Sequence, residues 1–151
     1  MSDGFGIYQK GEAGYFKSPA VGNSYGIVVN KRAKVLLLYK GEESIRTYRV
    51  GIGDLSTPTP KGKFVIRDIQ KRGTSQAYPE YGDYILDIST PTKKLAIHGI
   101  YDDYSPNIPI QQKLSGGCVL MQKKDMAELA SFVTVGTPVV IISGYETYLN
   151  I

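Results

Sequence analysis

One histidine, His98, and one cysteine, Cys118, are the only residues of either type in the chain. Together they are the minimum set for nucleophilic catalysis on an acyl group. A free thiol, with a pKa of about 8.5, is only a few per cent thiolate at neutral pH, so it needs a base or a positive neighbour. His98 is the one imidazole available, and Cys118 has no adjacent Lys or Arg, since Lys113 and Lys123 each stand five positions away. The expectation is therefore that His98 lowers the thiol pKa or takes its proton during attack. Gly116 and Gly117 directly precede Cys118 and leave the backbone free to aim consecutive N–H groups at one point, as an oxyanion hole requires. A structural reading stands beside the catalytic one. A Cys next to Val119-Leu120-Met121 can be a small buried hydrophobe, a His at a strand end a hydrogen-bonded structural residue, and Gly-Gly a tight turn.

The elements that must hold these residues read mostly as strands. Tyr25 to Asn30 and Lys34 to Tyr39 are rich in apolar and β-branched residues, and the short polar link Lys31-Arg32-Ala33 predicts a hairpin. The continuous apolarity of Val35-Leu36-Leu37-Leu38 predicts burial on both faces. A strand follows from Ser44 to Val50, with Gly51-Ile52-Gly53-Asp54 expected to break it. Phe64 to Ile66, Tyr84 to Ile88, Leu95 to His98 and Val119 to Met121 are shorter candidates. In the strand before the histidine, Leu95 and Ile97 point to one face, so Ala96 and His98 point to the other. One helix is predicted over Lys124 to Val133, where Met126, Leu129, Ala130 and Val133 share a face and Asp125 and Glu128 favour its N-terminal turn. Gly136 ends that pattern, and Thr137 to Ile142 reads as a last strand.

Composition removes several classes. With 151 residues, 42% hydrophobic and 21% charged, the chain is of single-domain, globular type. A lone cysteine excludes an internal disulfide, and one His plus one Cys cannot supply a zinc site without carboxylates, so no metal or other cofactor is expected. The net charge of +4 and the pI near 9.0 suit an anionic polymer. The basic residues are scattered in pairs such as Lys31-Arg32, Lys71-Arg72 and Lys123-Lys124, which argues against a nucleic-acid partner. No apolar run approaches the roughly 20 residues of a membrane span. Met1 to Gly6 shows no basic stretch followed by an apolar core, the pattern of a secretory leader.

Chain order narrows the cysteine enzymes further. Papain-like peptidases place Cys before His, whereas here His98 precedes Cys118 by 20 positions. Sortases require an Arg downstream of the nucleophile, and all five Arg residues here lie upstream. At His98-Gly99 and Ser115-Gly116-Gly117-Cys118-Val119-Leu120-Met121 the sequence resembles the L,D-transpeptidase catalytic domain, or YkuD family, whose pattern is His-Gly followed by Ser-His-Gly-Cys. Gly26 to Tyr39 is similar to the opening hairpin of that family, Thr59-Pro60-Lys61-Gly62-Lys63-Phe64 to its Thr-Pro-x-Gly-x-Phe element, and Asp125 through Val139 to its closing helix and strand. Two positions depart from the pattern. Gly116 stands where the family usually has a second His, and Leu120 where it usually has Arg or Asn.

The resemblance implies a mainly β fold, a two-sheet β-sandwich of the L,D-transpeptidase type with one main helix near the C-terminus. It implies a lead segment 1–23, a catalytic domain 24–142 and a tail 143–151. It also implies that Cys118 attacks a peptidoglycan stem peptide at the carbonyl between the L-centre of a diamino acid and a terminal D-Ala. His98 would act as base and then acid, oriented by the Gly99 carbonyl, with Asp102 and Asp103 as carboxylate alternatives. The N–H groups of Gly117 and Cys118 would hold the oxyanion, with Gly116 and Ser115 supporting, although Ser115 reads equally as a turn serine. An amine acceptor would give a cross-link and water an L,D-carboxypeptidase. Residues 100 to 114 would form a flap. Tyr78, Tyr81, Tyr84, Tyr101 and Tyr104 cluster near His98 in sequence and are candidates to wall a substrate groove, or else ordinary core tyrosines. Carbapenem-type inhibitors, a cell-envelope location and a monomeric state complete the expectation. The alternative is a catalytically weak or inactive peptidoglycan-binding module on the same fold, motivated by Gly116 and Leu120.

Overall fold

The computed structural model describes residues 8–11, 14–71, 83–100 and 107–145. The expectations for Tyr78, Tyr81, Tyr101, Asp102, Asp103 and Tyr104 therefore lie outside the described residues. A small antiparallel hairpin, β1 (Tyr8–Gly11) with β2 (Gly14–Lys17), falls inside the lead segment 1–23, for which the sequence reading gave no strand. Ten further strands and one α-helix make up the rest of the described fold: β3 (Tyr25–Asn30), β4 (Val35–Lys40), β5 (Glu43–Gly53), β6 (Gly62–Val65), β7 (Asp68–Lys71), β8 (Tyr84–Asp87), β9 (Ala96–Gly99), β10 (Leu114–Ser115), β11 (Val119–Met121), α1 (Lys123–Phe132) and β12 (Pro138–Ile142).

These strands run in the order β6-β12-β3-β4-β5-β11-β9-β8-β7, with β10 pairing alongside β5. The expected two layers are present as one curled sheet whose halves are joined by β5. The first part of β5, Glu43 to Arg49, pairs with β4. Its end turns to β11 through Val50 and Gly51, and to β10 through Ile52 and Gly53. The sequence reading broke the strand at Gly51-Ile52-Gly53, and that expectation is corrected here. These glycines stay in the strand because other backbones press on them. A Cβ on Gly51 would lie 2.7 Å from the Lys113 carbonyl oxygen, and one on Gly53 only 2.1 Å from that of Thr57.

Alternation sorts the core. Ile27 and Val29 of β3, Leu36 and Leu38 of β4, and Val139 and Ile141 of β12 join Leu86, Ile97, Val119 and Met121 of the other half in the main cluster. Val28, Val35, Leu37, Tyr39, Val140 and Ile142 form a second buried cluster on the opposite face, as the continuous apolar run of β4 foretold. The helix buries Met126 and Leu129, and the predicted spacing extends through the buried Val133 just beyond it. Gly99 admits this packing, since a Cβ there would already touch Met126 at 3.3 Å.

The close approach at Gly53 gives a stability prediction. Gly53→Ala should cost at least the upper end of the ~1–3 kcal/mol typical of overpacking, because all three nearest atoms are backbone and cannot rotate away. Urea denaturation reads this directly, and an unchanged midpoint would show that β5 does not need its glycine.

Candidate active site

Strand pairing sets the site. β9 runs between β8 and β11, with Ile97 opposite Leu86 on one side and Val119 on the other, all three fully buried in the main core. His98 therefore points to the other face, in a row with Ile85 and Leu120, as the alternation of Leu95 to His98 required. Cys118 immediately precedes β11 and lies beside Ala96, whose backbone hydrogen-bonds to it. The nucleophile and the imidazole are thus two positions apart, diagonally, across neighbouring parallel strands. Strand geometry makes that about 8 Å between Cα atoms, within reach of a histidine side chain.

The imidazole is buried, 4% exposed, and its Nδ1 lies 2.9 Å from the Gly99 carbonyl oxygen. A carbonyl only accepts, so Nδ1 carries the proton in this bond and Nε2 keeps its lone pair. The residue expected to orient His98 thus makes the contact required of it.

The loop before Cys118 is tied from three sides. The Ser115 hydroxyl donates to the Cys118 carbonyl and accepts the Gly117 N–H at 3.0 Å, closing a tight turn. The Ser115 carbonyl accepts the Asp54 N–H at 3.2 Å. Gly117 has φ +133, a conformation that side chains rarely adopt. Its carbonyl accepts the hydroxyl of Thr59 at 2.7 Å, and that same hydroxyl accepts the Gly53 N–H at 2.8 Å. Thr59 is completely buried. It clamps the end of β5 to the loop before Cys118, a contact that the Thr59-Pro60-Lys61-Gly62-Lys63-Phe64 element does not announce in the sequence.

Two expectations narrow here. Of the proposed oxyanion donors, the Gly117 N–H is engaged by Ser115, which leaves the Cys118 N–H. Tyr84 sits on the same face of β8 as Leu86 and packs against the main core, because two positions along a strand return to the same side. Of the two readings offered for it, groove wall and core tyrosine, this packing favours the second. Gly116 is exposed, and a Cβ there would meet nothing within 4 Å. Leu120 is buried with Ile100 and Ile110 in a small apolar cluster. Among the described residues, no three His, Cys, Asp or Glu side chains gather as a metal site.

Cys118 opens on a groove of about 740 Å³ bounded by Arg67, Gln70, Ile85 and the Asp87–Ala96 hairpin. Burial pushes the Cys118 thiol up from its ordinary pKa, and only the Ala96 backbone bond opposes the rise. That direction favours the protonated thiol at rest over a thiolate paired with His98.

The chain matches the L,D-transpeptidase catalytic domain, YkuD, over residues 24–141. It belongs to that family. A YkuD protein of Bacillus licheniformis, provisionally named an L,D-transpeptidase, is 34% identical over 117 residues, covering 78% of this chain. The chain spans 65% of the length of that relative. Among solved structures, a mutant of an Enterococcus faecium L,D-transpeptidase superposes with TM-score 0.64 at 22% identity, over 80% of this chain and 50% of that one. An L,D-transpeptidase in complex with imipenem superposes with TM-score 0.61 at 19% identity, over 79% of this chain and 59% of that one. The fold is thus shared with these structures, and the expected mainly β architecture with one main helix is present in this chain.

Two measurements test the site. Alkylation of Cys118 by iodoacetamide should rise with pH only above the range of free cysteine, and His98→Ala should leave that limb in place; a limb starting below free cysteine would restore the ion pair. Thr59→Val keeps the shape but orphans the Gly53 N–H and the Gly117 carbonyl, at roughly 1–3 kcal/mol each. Thr59→Ser should recover most of that loss in urea denaturation, and if it recovers none the methyl rather than the hydroxyl holds the loop.

Proposed function

We propose that this YkuD domain catalyses cysteine-dependent acyl transfer on peptidoglycan stem peptides. The observation that carries the proposal is the His98 Nδ1–H bond to the Gly99 carbonyl, which turns Nε2 into the base on the face that Cys118 shares. Cys118 Sγ attacks the carbonyl between the L-centre of a diamino acid and the terminal D-Ala, while His98 Nε2 accepts the thiol proton. The Cys118 N–H donates to the developing oxyanion. His98 then returns the proton to the departing D-Ala amine, leaving a thioester on Cys118. An amine acceptor resolves the thioester as a cross-link, and water resolves it as an L,D-carboxypeptidase product. The substrate places the domain's work in the cell envelope.

A second reading is a weak or inactive peptidoglycan-binding module. It is favoured by Leu120, buried against Ile100 and Ile110 at a position where the family usually has Arg or Asn.

Intact mass spectrometry with imipenem separates the two. The wild type should gain one adduct and Cys118→Ala none. His98→Ala should slow acylation and D-Ala release by about 10²–10⁴-fold with circular dichroism unchanged. Turnover surviving in Cys118→Ala would end the mechanism, since the chain has no second thiol. A folded wild type that acquires no adduct across the neutral pH range would establish the binding module instead.

A further inference from the structure

The groove at Cys118 is lopsided, both in space and in charge. Alternation along the strand leading into β9 puts Lys94, Ala96 and His98 on one face, with Leu95 and Ile97 buried between them. Cys118 stands beside Ala96. The base therefore lies two positions to one side of the nucleophile, and Lys94 two positions to the other. Among the described residues the groove runs to the Lys94 side: Lys93, Lys94, Ala96 and Cys118 line it, and His98 does not. Arg67 lines it from the far wall and donates to the Ser89 carbonyl at 3.2 Å. Against these three cations the lining holds one carboxylate, Asp87. That carboxylate accepts the Ser89 N–H at 2.8 Å and is held low by Ser89 and partly by the charges of Arg67 and Lys94, so it balances one of the three cations and leaves the lining positive. A second hollow of about 330 Å³ shares Arg67 and the Ser89–Pro91 turn and adds Lys63, so the positive surface continues away from the thiol.

The direction of the reaction fixes which part of a substrate meets this charge. His98 must protonate the leaving nitrogen, so the leaving residue lies toward His98. The acyl portion then extends the other way, into the groove. We propose that Lys94, with Arg67, is a specificity-determining pair that binds a carboxylate on the acyl side of the scissile bond. This rests on the acyl-transfer reading above and adds the polarity and charge of the donor to it. The donor class is an anionic peptide whose negative charge stays with the enzyme in the thioester. The basic balance of the chain gains a location by this assignment, because a charge-assisted hydrogen bond is worth about twice a neutral one.

Three tetrapeptide donors test it: one with every carboxylate free, one amidated only on the acyl side, and one amidated only on the leaving D-Ala. Thioester formation on Cys118, followed by intact mass, should be roughly tenfold or more faster with the free acyl-side carboxylate than with its amide. The double variant Arg67→Gln with Lys94→Gln should erase that difference, and Lys94→Arg should restore it. Equal rates in the wild type, a preference that survives the double variant, or a preference that follows only the D-Ala carboxylate would each overturn the proposal. Absence of a thioester with any donor would mean failure of the acyl-transfer reading itself. The carboxylate site is then read by calorimetry on Cys118→Ala with the same peptides: tighter binding of the free acyl-side acid, lost in the added Lys94→Gln change, supports it, and equal binding refutes it.

Discussion

The parallel pairing of β9 with β11 is the constraint on which the rest of the site depends. It sets Val119 against Ile97 and Leu120 against His98. Because side chains alternate, a slip of one residue would send His98 into the core and Ile97 into the groove. The register is protected by what lies beneath it. Ile97, Val119, Leu86 and Met121 are all fully buried, and shifting any one strand would expose its whole apolar set. The placement of His98 and Cys118 is thus fixed by hydrophobic burial on the far side of the same strands, with the polar contacts only refining it.

The second layer of control is the end of β5. Gly53 donates its N–H to Thr59, and Thr59 donates its hydroxyl to the Gly117 carbonyl, so a single buried oxygen couples β5 to the residue before the nucleophile. Ser115 closes the same loop from within. These bonds hold Gly117 at a φ that few other residues adopt. They also occupy the Gly117 N–H. The loop is therefore tied by its own bonds, and in the proposed mechanism it contributes pre-organisation rather than a spare donor.

Much of this was legible in the sequence wherever periodicity carries the information. The β3–β4 hairpin, the face of His98 and the apolar stripe of α1 follow from local alternation or helical spacing, and the structure keeps them. The same alternation puts Tyr84 on the face of Leu86, packed against the core, which is one of the two readings offered for it. What stayed illegible depends on long-range neighbours. β5 continues through Gly51 to Gly53 because Lys113, Ile110, Thr57 and Gly117 press their backbones there, and a glycine by itself reads equally as a strand break. β7, Asp-Ile-Gln-Lys, and the two-residue β10 are too polar or too short to announce themselves. The Thr59 clamp spans 58 positions. The thiol's environment is of the same kind, since burial is a property of the fold.

That burial has a mechanistic consequence. A thiol raised by desolvation loses the standing reactivity of a preformed ion pair, and it also escapes the fate of an exposed thiolate, which oxidises and alkylates readily. In the proposed acyl transfer, reactivity then comes from the encounter itself, the proton moving to His98 as the carbon–sulfur bond forms. The exposed Gly116, with no neighbour within 4 Å of a would-be Cβ, adds no side chain to that step. Buried Leu120 adds none either. On the proposed donor selectivity, the charge that orients a donor comes from elsewhere on the same face, where the cations that line the groove at Cys118 are Lys93, Lys94 and Arg67.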